Sequence, residues 1–379
     1  MKRNLLLTPG PTQIPPELCA ALGKPIIHHR TPQFQQALKD AITGLKYVYQ
    51  TTNDIYILAG SGTAGMEAAV CNLLSAGDKA ITVEAGKFGE RWTELCKAYG
   101  ADPQVIEVEW GKAVQAEQIK DALKKQPETK AVFITLNETS TAVLTDVKAI
   151  GAVVRETNAV LVVDAVSGLG VVDLQTDNWH ADVVVAASHK GFMLPPGVAF
   201  VSASPKAIKQ INASTSPRYY FDLRKAKKVV DKPDTPFTPA IGIIVALVDS
   251  VKFFQEKGLE NIFHHYARLA EGVRAAARGL GLSIFTDESC LSNVLTAINI
   301  PGEIDGTKIV KLMRDTYGIS VAGGQAQLKG KIIRIAHMGA LDEFDLLTGI
   351  CCLEKVLKVS GYSFKLGAGV SAAQEIYNK

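Results

Sequence analysis

Residues 183–197 read VVVAASHKGFMLPPG. The five small apolar residues from Val183 to Ala187 form a run that is apolar on both faces, the pattern of a buried parallel strand. The run passes straight into Ser188-His189-Lys190, and the chain then breaks at Pro195-Pro196-Gly197. Burying an ammonium is costly. Lys190 is therefore either a surface lysine just past a strand end or a desolvated amine kept there for chemistry.

The same strand pattern recurs outward from this point. Apolar runs at Ile55–Ala59, Lys79–Val83, Ala131–Leu136, Val160–Val163 and Val198–Ser202 alternate with helical runs at Ala64–Leu74, Phe88–Tyr99, Ala116–Lys124 and Val147–Glu156. This alternation predicts an α/β fold with a mostly parallel sheet, and ligands belong at the carboxyl ends of its strands. The pattern changes at the proline-rich connector Pro233–Pro239. A long helical stretch, Ile241–Leu280, follows. Strand candidates at Val294–Ile300 and Lys331–Ala336, with helices at Gly306–Tyr317 and Asp342–Val359, then predict a smaller α+β domain. The expected division is an N-terminal segment 1–14, a large domain 15–255, a small C-terminal domain 256–365 and a loosely attached tail 366–379.

Composition bounds the function. The 379 residues are 47% hydrophobic and 21% charged, enough for a sizeable core in a two-domain enzyme. The net charge of +3 is mild, and the densest basic cluster, Lys225-Ala226-Lys227-Lys228, reads as a solvated face, which argues against nucleic acid. The six cysteines form no C-x-x-C pair, so neither a zinc site nor a disulfide framework is expected, and a reducing cytoplasm fits. The three leucines before Pro9 are too few for a secretory signal, and no stretch reaches the ~20 apolar residues of a membrane helix.

Chemistry gathers at three places. Asp164 ends the apolar run Ala159–Ala165, as Lys190 ends its own, 26 residues later. One crossover fits in that gap, so the two strand ends are expected as neighbours. A carboxylate there needs a protein cation or a protonated ring nitrogen. The stretch ILAGSGTAGMEAA, residues 57–69, offers an anion site: a strand, a Gly60-Ser61-Gly62 turn, then a helix from Thr63. Gly60-x-Gly62-x-x-Gly65 also matches the dinucleotide fingerprint, with Glu84 ending the next strand, so a NAD-binding oxidoreductase stands as an alternative. Arg334, mid-strand in GKIIRIAHMG (330–339), either snorkels or reaches a buried anion.

Together these pieces resemble the class V aminotransferases of pyridoxal phosphate fold type I, in the alanine–glyoxylate and serine–pyruvate (serine–glyoxylate) branch. The resemblance spans roughly residues 4 to 360. Its motifs are Leu7–Thr12 (LTPGPT), Gly60–Thr63 (GSGT), Asn137–Thr141 (NETST), Val163–Ser167 (VDAVS), Ser188–Lys190 (SHK) and Leu194–Gly197 (LPPG), in family order. It implies a seven-stranded large domain that binds pyridoxal 5'-phosphate. Lys190 is then the Schiff-base lysine and Asp164 the pyridinium partner. Ser61, Gly62 and Thr63 take the phosphate, Phe88 stacks on the ring, Val166 packs against it, and Thr139 approaches the 3-hydroxyl. Thr238 is similar to a residue reaching the phosphate of a neighbouring subunit, which implies a homodimer with shared sites. Arg334 clamps the substrate carboxylate, and the Pro9-Gly10 turn lines the pocket.

The chain departs from the branch at His189, where glutamine is common. A histidine still donates to phosphate and adds titration near neutrality. Thr235 stands where animal relatives have a phosphate-binding tyrosine. The implied reaction is a ping-pong transfer from alanine or serine to glyoxylate or pyruvate. Alternatives on the same chemistry are 2-aminoethylphosphonate, for which His28-His29-Arg30 is suggestive, and ureidoglycine. A cysteine desulfurase requires Cys290 to be a mobile, exposed nucleophile. A non-enzymatic subunit is disfavoured because Lys190 and Asp164 are both present.

Overall fold

The computed structural model describes residues 4–230 and 232–379. In chain order the elements that position the site are α1 (Pro32–Tyr49), β1 (Asp54–Gly60), α2 (Gly62–Leu73), β2 (Lys79–Glu84), α3 (Lys87–Ala98), β3 (Asp102–Glu107), β4 (Ala131–Thr135), α4 (Val147–Val154), β5 (Val160–Asp164), β6 (Val183–Ala187) and β7 (Gly197–Ala203). After them come α5 (Ile241–Lys257), α6 (Leu259–Gly279), β8 (Leu295–Asn299), α7 (Gly306–Tyr317), β9 (Ala322–Gly323), β10 (Ile332–Ala336), α8 (Glu343–Val359) and α9 (Ala368–Tyr377).

Seven strands form one sheet in the order β1-β7-β6-β5-β4-β2-β3, parallel except for β7, which runs antiparallel to both β1 and β6. Both faces are covered, so the central strands carry no polar alternation. Phe133, Val162, Val185 and Val201 pack into one core, and Ile134, Val163, Val184 and Phe200 into the other. Edge strand β3 was not expected, because Asp102-Pro-Gln-Val-Ile-Glu107 is half polar and lacks the apolar run. It pairs only with β2, and an edge strand tolerates such a sequence.

The topology removes the dinucleotide reading. That fingerprint needs β1 and the next strand, β2, adjacent and parallel around α2. Here four strands separate them.

The long helical stretch divides at Gly258, whose φ of 77° favours glycine. Helix α5 packs on α1, while α6 packs against β8 and α9. The smaller sheet, β8-β10-β9, is antiparallel. The N-terminal segment is tied to this smaller unit: Leu5–Leu6 pairs in parallel with Ile319–Ser320, and the Ala336 amide donates to the Leu7 carbonyl at 2.9 Å.

The expected loose tail is instead helix α9, docked along α6. Small residues permit the close approach: a Cβ at Gly279 would press on Ala368 and Ala372, and one at Gly272 would collide with the Tyr377 ring. Tyr377 donates its hydroxyl to the Leu269 carbonyl at 3.0 Å, and Glu354 accepts from the amides of Gly367 and Val370. The small residues of this segment and of α6 are what close helix packing needs. Among the described residues no helix is long and apolar enough to cross a membrane.

Candidate active site

The carboxyl ends of β4, β5 and β6 converge on one buried cluster. Asp164 closes β5 and lies opposite Val185 of the adjacent parallel strand β6. Lys190 follows β6 by three residues, and both side chains are buried. Burial pushes the Lys190 amine down to about 8, with Arg334 and Arg91 pushing the same way and Asp164 opposing. Burial pushes Asp164 up to about 6, with Glu138 adding to the rise and the Val166 amide, Arg91 and Lys190 opposing it. The Val166 amide donates to Asp164 Oδ1 at 2.9 Å.

The N-terminal segment crosses from the smaller unit to cover Lys190. Lys190 Nζ donates to the Pro9 carbonyl, and Thr12 donates its hydroxyl to the Lys190 carbonyl at 3.0 Å. Gly10, at φ 120°, sits where a Cβ would collide with the Lys190 amine, so only glycine fits this turn.

Gly62 begins α2 against Val166: a Cβ there would lie 2.8 Å from Val166 Cγ2. Ser61 and Thr63 are exposed, and Ser61 makes no side-chain cap at the start of α2. His189 has a buried Nδ1 with no partner. Burial and Lys190 hold its ring down at about 4, which corrects the expected titration near neutrality.

Glu138, which was not among the expected site residues, organises the Phe88 side. Its carboxylate accepts from the amides of Phe88 (3.1 Å), Gly89 (2.9 Å) and Ser140 (3.0 Å), and from the Ser140 hydroxyl at 2.5 Å. It caps α3 and thereby fixes Phe88. Burial raises its pKa, and these four bonds oppose the rise. Arg91, one turn on, stacks its guanidinium 5.0 Å from the Phe88 ring centroid. An acidic residue among the small polar residues of NETST was the available signal for Glu138.

Arg334, on β10, reaches into the cluster from the smaller unit. Its Nε and Nη2 donate to the Gly323 carbonyl at 3.0 and 2.7 Å, and Nη1 donates to the Thr139 carbonyl at 2.6 Å. Burial holds its pKa down at about 10. The structure thus unites Lys190, Asp164, Val166, Gly62, Thr139, Gly10 and Arg334.

Thr235 and Thr238 are placed elsewhere. The Thr235 hydroxyl donates to the Phe237 carbonyl at 2.8 Å, and Thr238 is exposed. Arg30 pairs with Asp234 and also donates to the Thr235 carbonyl at 3.3 Å. Both contacts use Nη1, and the Arg30 side chain is 45% exposed. Cys290 is buried in a short turn with its thiol on the Gly111 carbonyl at 3.5 Å, not exposed as a desulfurase nucleophile must be. The described residues assemble no group of three His, Cys, Asp or Glu side chains that could hold a metal ion.

Residues 5–339 match the family described as aminotransferase class-V. The chain belongs to that family. Among its curated relatives, an L-aspartate–glyoxylate aminotransferase of Paracoccus denitrificans is 38% identical, covering 100% of this chain and 97% of its own. A serine–glyoxylate aminotransferase of Hyphomicrobium methylovorum is 36% identical over 99% of this chain and 94% of its own. A protein of a Synechococcus species named as a soluble hydrogenase small subunit is 42% identical over 99% and 98%. The crystal structure of ureidoglycine–glyoxylate aminotransferase from Bacillus subtilis superimposes with a TM-score of 0.96, at 29% identity, over 100% of this chain and 99% of its own. The aminotransferase therefore carries its Lys190–Asp164 pair within a shared whole-chain fold.

Proposed function

We propose that this aminotransferase transfers the amino group of a small amino acid, alanine or serine, to glyoxylate or pyruvate, using pyridoxal phosphate in two half-reactions at one site. The observation that carries this reading is the burial of Lys190 and Asp164 at adjacent strand ends. The residues fit the cofactor. The unpartnered His189 Nδ1 and the uncapped start of α2 suit its phosphate, and Phe88 and Val166 suit the two faces of its ring. When bound, pyridoxal phosphate supplies the carbonyl that takes up the amino group and the ring that delocalises the α-carbon's electrons.

The chain's residues supply the rest. An amine at about 8 is partly neutral at physiological pH, so Lys190 serves as a nucleophile and then as the base and acid that moves the α-proton. Asp164, at about 6, is ionised at neutral pH and suits a protonated ring nitrogen. Arg334 now donates only to neutral carbonyls. A substrate carboxylate offers it stronger, charge-assisted bonds. The Pro9-Gly10 turn, against the Lys190 amine, closes one side of the pocket.

We further propose a homodimer in which residues 232–240 reach the neighbouring site. Thr238 is exposed, and the exposed rings of Tyr219 and Tyr220 pack on Phe237. That aromatic surface suits a partner subunit. A cytoplasmic location remains the expectation from the cysteine usage.

The names of the relatives support glyoxylate as acceptor and leave several donors in view. The 2-aminoethylphosphonate alternative stays open, since the Arg30 pair with Asp234 is exposed and engages Nη1 alone. The test is a donor panel. Purified protein with pyridoxal phosphate and glyoxylate is offered alanine, serine, aspartate or 2-aminoethylphosphonate, and glycine is quantified. Glycine formed fastest from alanine or serine supports the assignment. Glycine from aspartate alone, or from none, overturns it.

A further inference from the structure

One buried hydroxyl beside the reactive pair has no partner. Thr135, the last residue of β4, is 7% exposed, and its Oγ1 makes no hydrogen bond. Leaving a buried donor unused is costly, and such groups are rare in folded proteins. The backbone around it is well held. The Thr135 carbonyl accepts from the Thr145 hydroxyl at 2.7 Å, and the Leu136 amide donates to the Asp164 carbonyl at 2.9 Å.

The neighbour of this hydroxyl is Asp164. The two residues are register partners on the parallel strands β4 and β5. Register partners of a parallel pair leave the same face of the sheet, on strands about 4.8 Å apart. The positions two residues earlier agree: Phe133 and Val162 pack into one core with Met66 of α2 and Trp92 of α3. The Asp164 carboxylate accepts a bond from the Val166 amide at Oδ1, and among the described residues no other hydrogen-bond donor engages it. A carboxylate has about four lone-pair sites. A donor without an acceptor therefore stands beside an acceptor short of donors. Rotation about χ1 moves the hydroxyl between staggered positions without moving the backbone.

We propose that Thr135 is a positioning residue for the transamination: with the cofactor bound, its hydroxyl donates to the Asp164 carboxylate and so keeps the shared proton on the ring nitrogen. The inference rests on the reading of the site as one for pyridoxal phosphate. The reason is a competition between the carboxylate and the ring nitrogen for one proton. A donor to a carboxylate favours its ionised form and leaves the proton to the nitrogen. Among the other influences on Asp164, burial and Glu138 disfavour the ionised form, while the Val166 amide, Arg91 and Lys190 favour it.

The experiment loads full-length wild type, Thr135→Val and Thr135→Ser with pyridoxal phosphate isotope-labelled at the ring nitrogen, and reads that nitrogen by NMR at neutral pH. All the charged groups around Asp164 are the same in the three proteins. In Thr135→Val the preference of the proton for the nitrogen should fall by about tenfold, the effect of one hydrogen bond to a charged group. The signal then moves toward that of neutral pyridine, and kcat falls with it. Thr135→Ser, which keeps the hydroxyl, should match the wild type. The cofactor-free proteins supply a second readout. Valine keeps the shape and removes an unpaired hydroxyl, so cofactor-free Thr135→Val should melt no lower than the wild type. An unchanged nitrogen signal in Thr135→Val, or a signal in Thr135→Ser displaced as far as in the valine variant, overturns the inference and leaves the functional reading standing. A lower melting point for cofactor-free Thr135→Val also overturns it, because the hydroxyl would then already serve the fold. A wild type that takes up no cofactor overturns the functional reading and the inference with it.

Discussion

The Thr139 carbonyl, on the loop after β4, accepts a 2.6 Å hydrogen bond from Arg334 Nη1 on β10. This bond joins the smaller unit's guanidinium to the strand ends that carry the reactive pair. It also fixes the direction of the guanidinium that, under the proposed function, receives the substrate carboxylate. Lysine at this position keeps the charge and loses the fork geometry. Arg334→Lys should therefore raise KM for the amino donor by about 10- to 100-fold, with a smaller change in kcat and an unaltered visible band. Steady-state kinetics with the loaded enzyme checks this.

Asp164→Asn keeps the size of the side chain and removes its charge. The amide cannot hold a protonated ring nitrogen as an ion pair. The expected loss in kcat is about 10²- to 10³-fold, with cofactor retained. Single-turnover mixing with alanine or serine measures the step directly.

The cofactor-free protein should show the strain of burying Lys190. Between about pH 8 and the ordinary lysine range near 10.5, the unfolded chain binds a proton that the folded chain does not, so stability rises with pH there. Asp164 has the opposite sign: between its usual value of 3.8 and about 6 the folded state holds the extra proton, and stability falls as pH rises. Both costs are therefore present between about pH 6 and 8. Lys190→Met should stabilise the cofactor-free protein at pH 7, by on the order of 2–3 kcal/mol, and the gain should fade as pH climbs from 8 to 10.5. Urea unfolding at pH 7 and 10 tests both parts.

Removing residues 366–379 should destabilise the smaller unit. Tyr377 and Ala373 are buried against α6, and Arg268 donates to the Tyr377 carbonyl at 2.8 Å. Losing that surface should cost about 3–5 kcal/mol, the range for deleting one large buried side chain. The urea midpoint of the truncated chain reports it.

The central sheet and the neighbouring strand ends of Asp164 and Lys190 were legible because their signals are local. Val160–Asp164 and Val183–Ala187 are unbroken apolar runs, and 26 residues leave room for one crossover, so the neighbouring ends of Asp164 and Lys190 could be read from spacing. Edge strand β3 and helix α9 were not legible, since their apolar surface is thin and is completed only by distant partners. Glu138 acts through contacts with residues 49 and 50 positions away, which no local pattern carries. The fingerprint at Gly60–Gly65 left an alternative open for the same reason: its local sequence suits a dinucleotide fold, and the strand order excludes one.

The most direct measurement is to trap the lysine. Protein loaded with pyridoxal phosphate is reduced with borohydride, digested and mapped by mass spectrometry. The account predicts a single reduced pyridoxyl adduct on Lys190, absent when excess alanine or serine is present before reduction. An unmodified Lys190, or an adduct confined to other lysines, would contradict it.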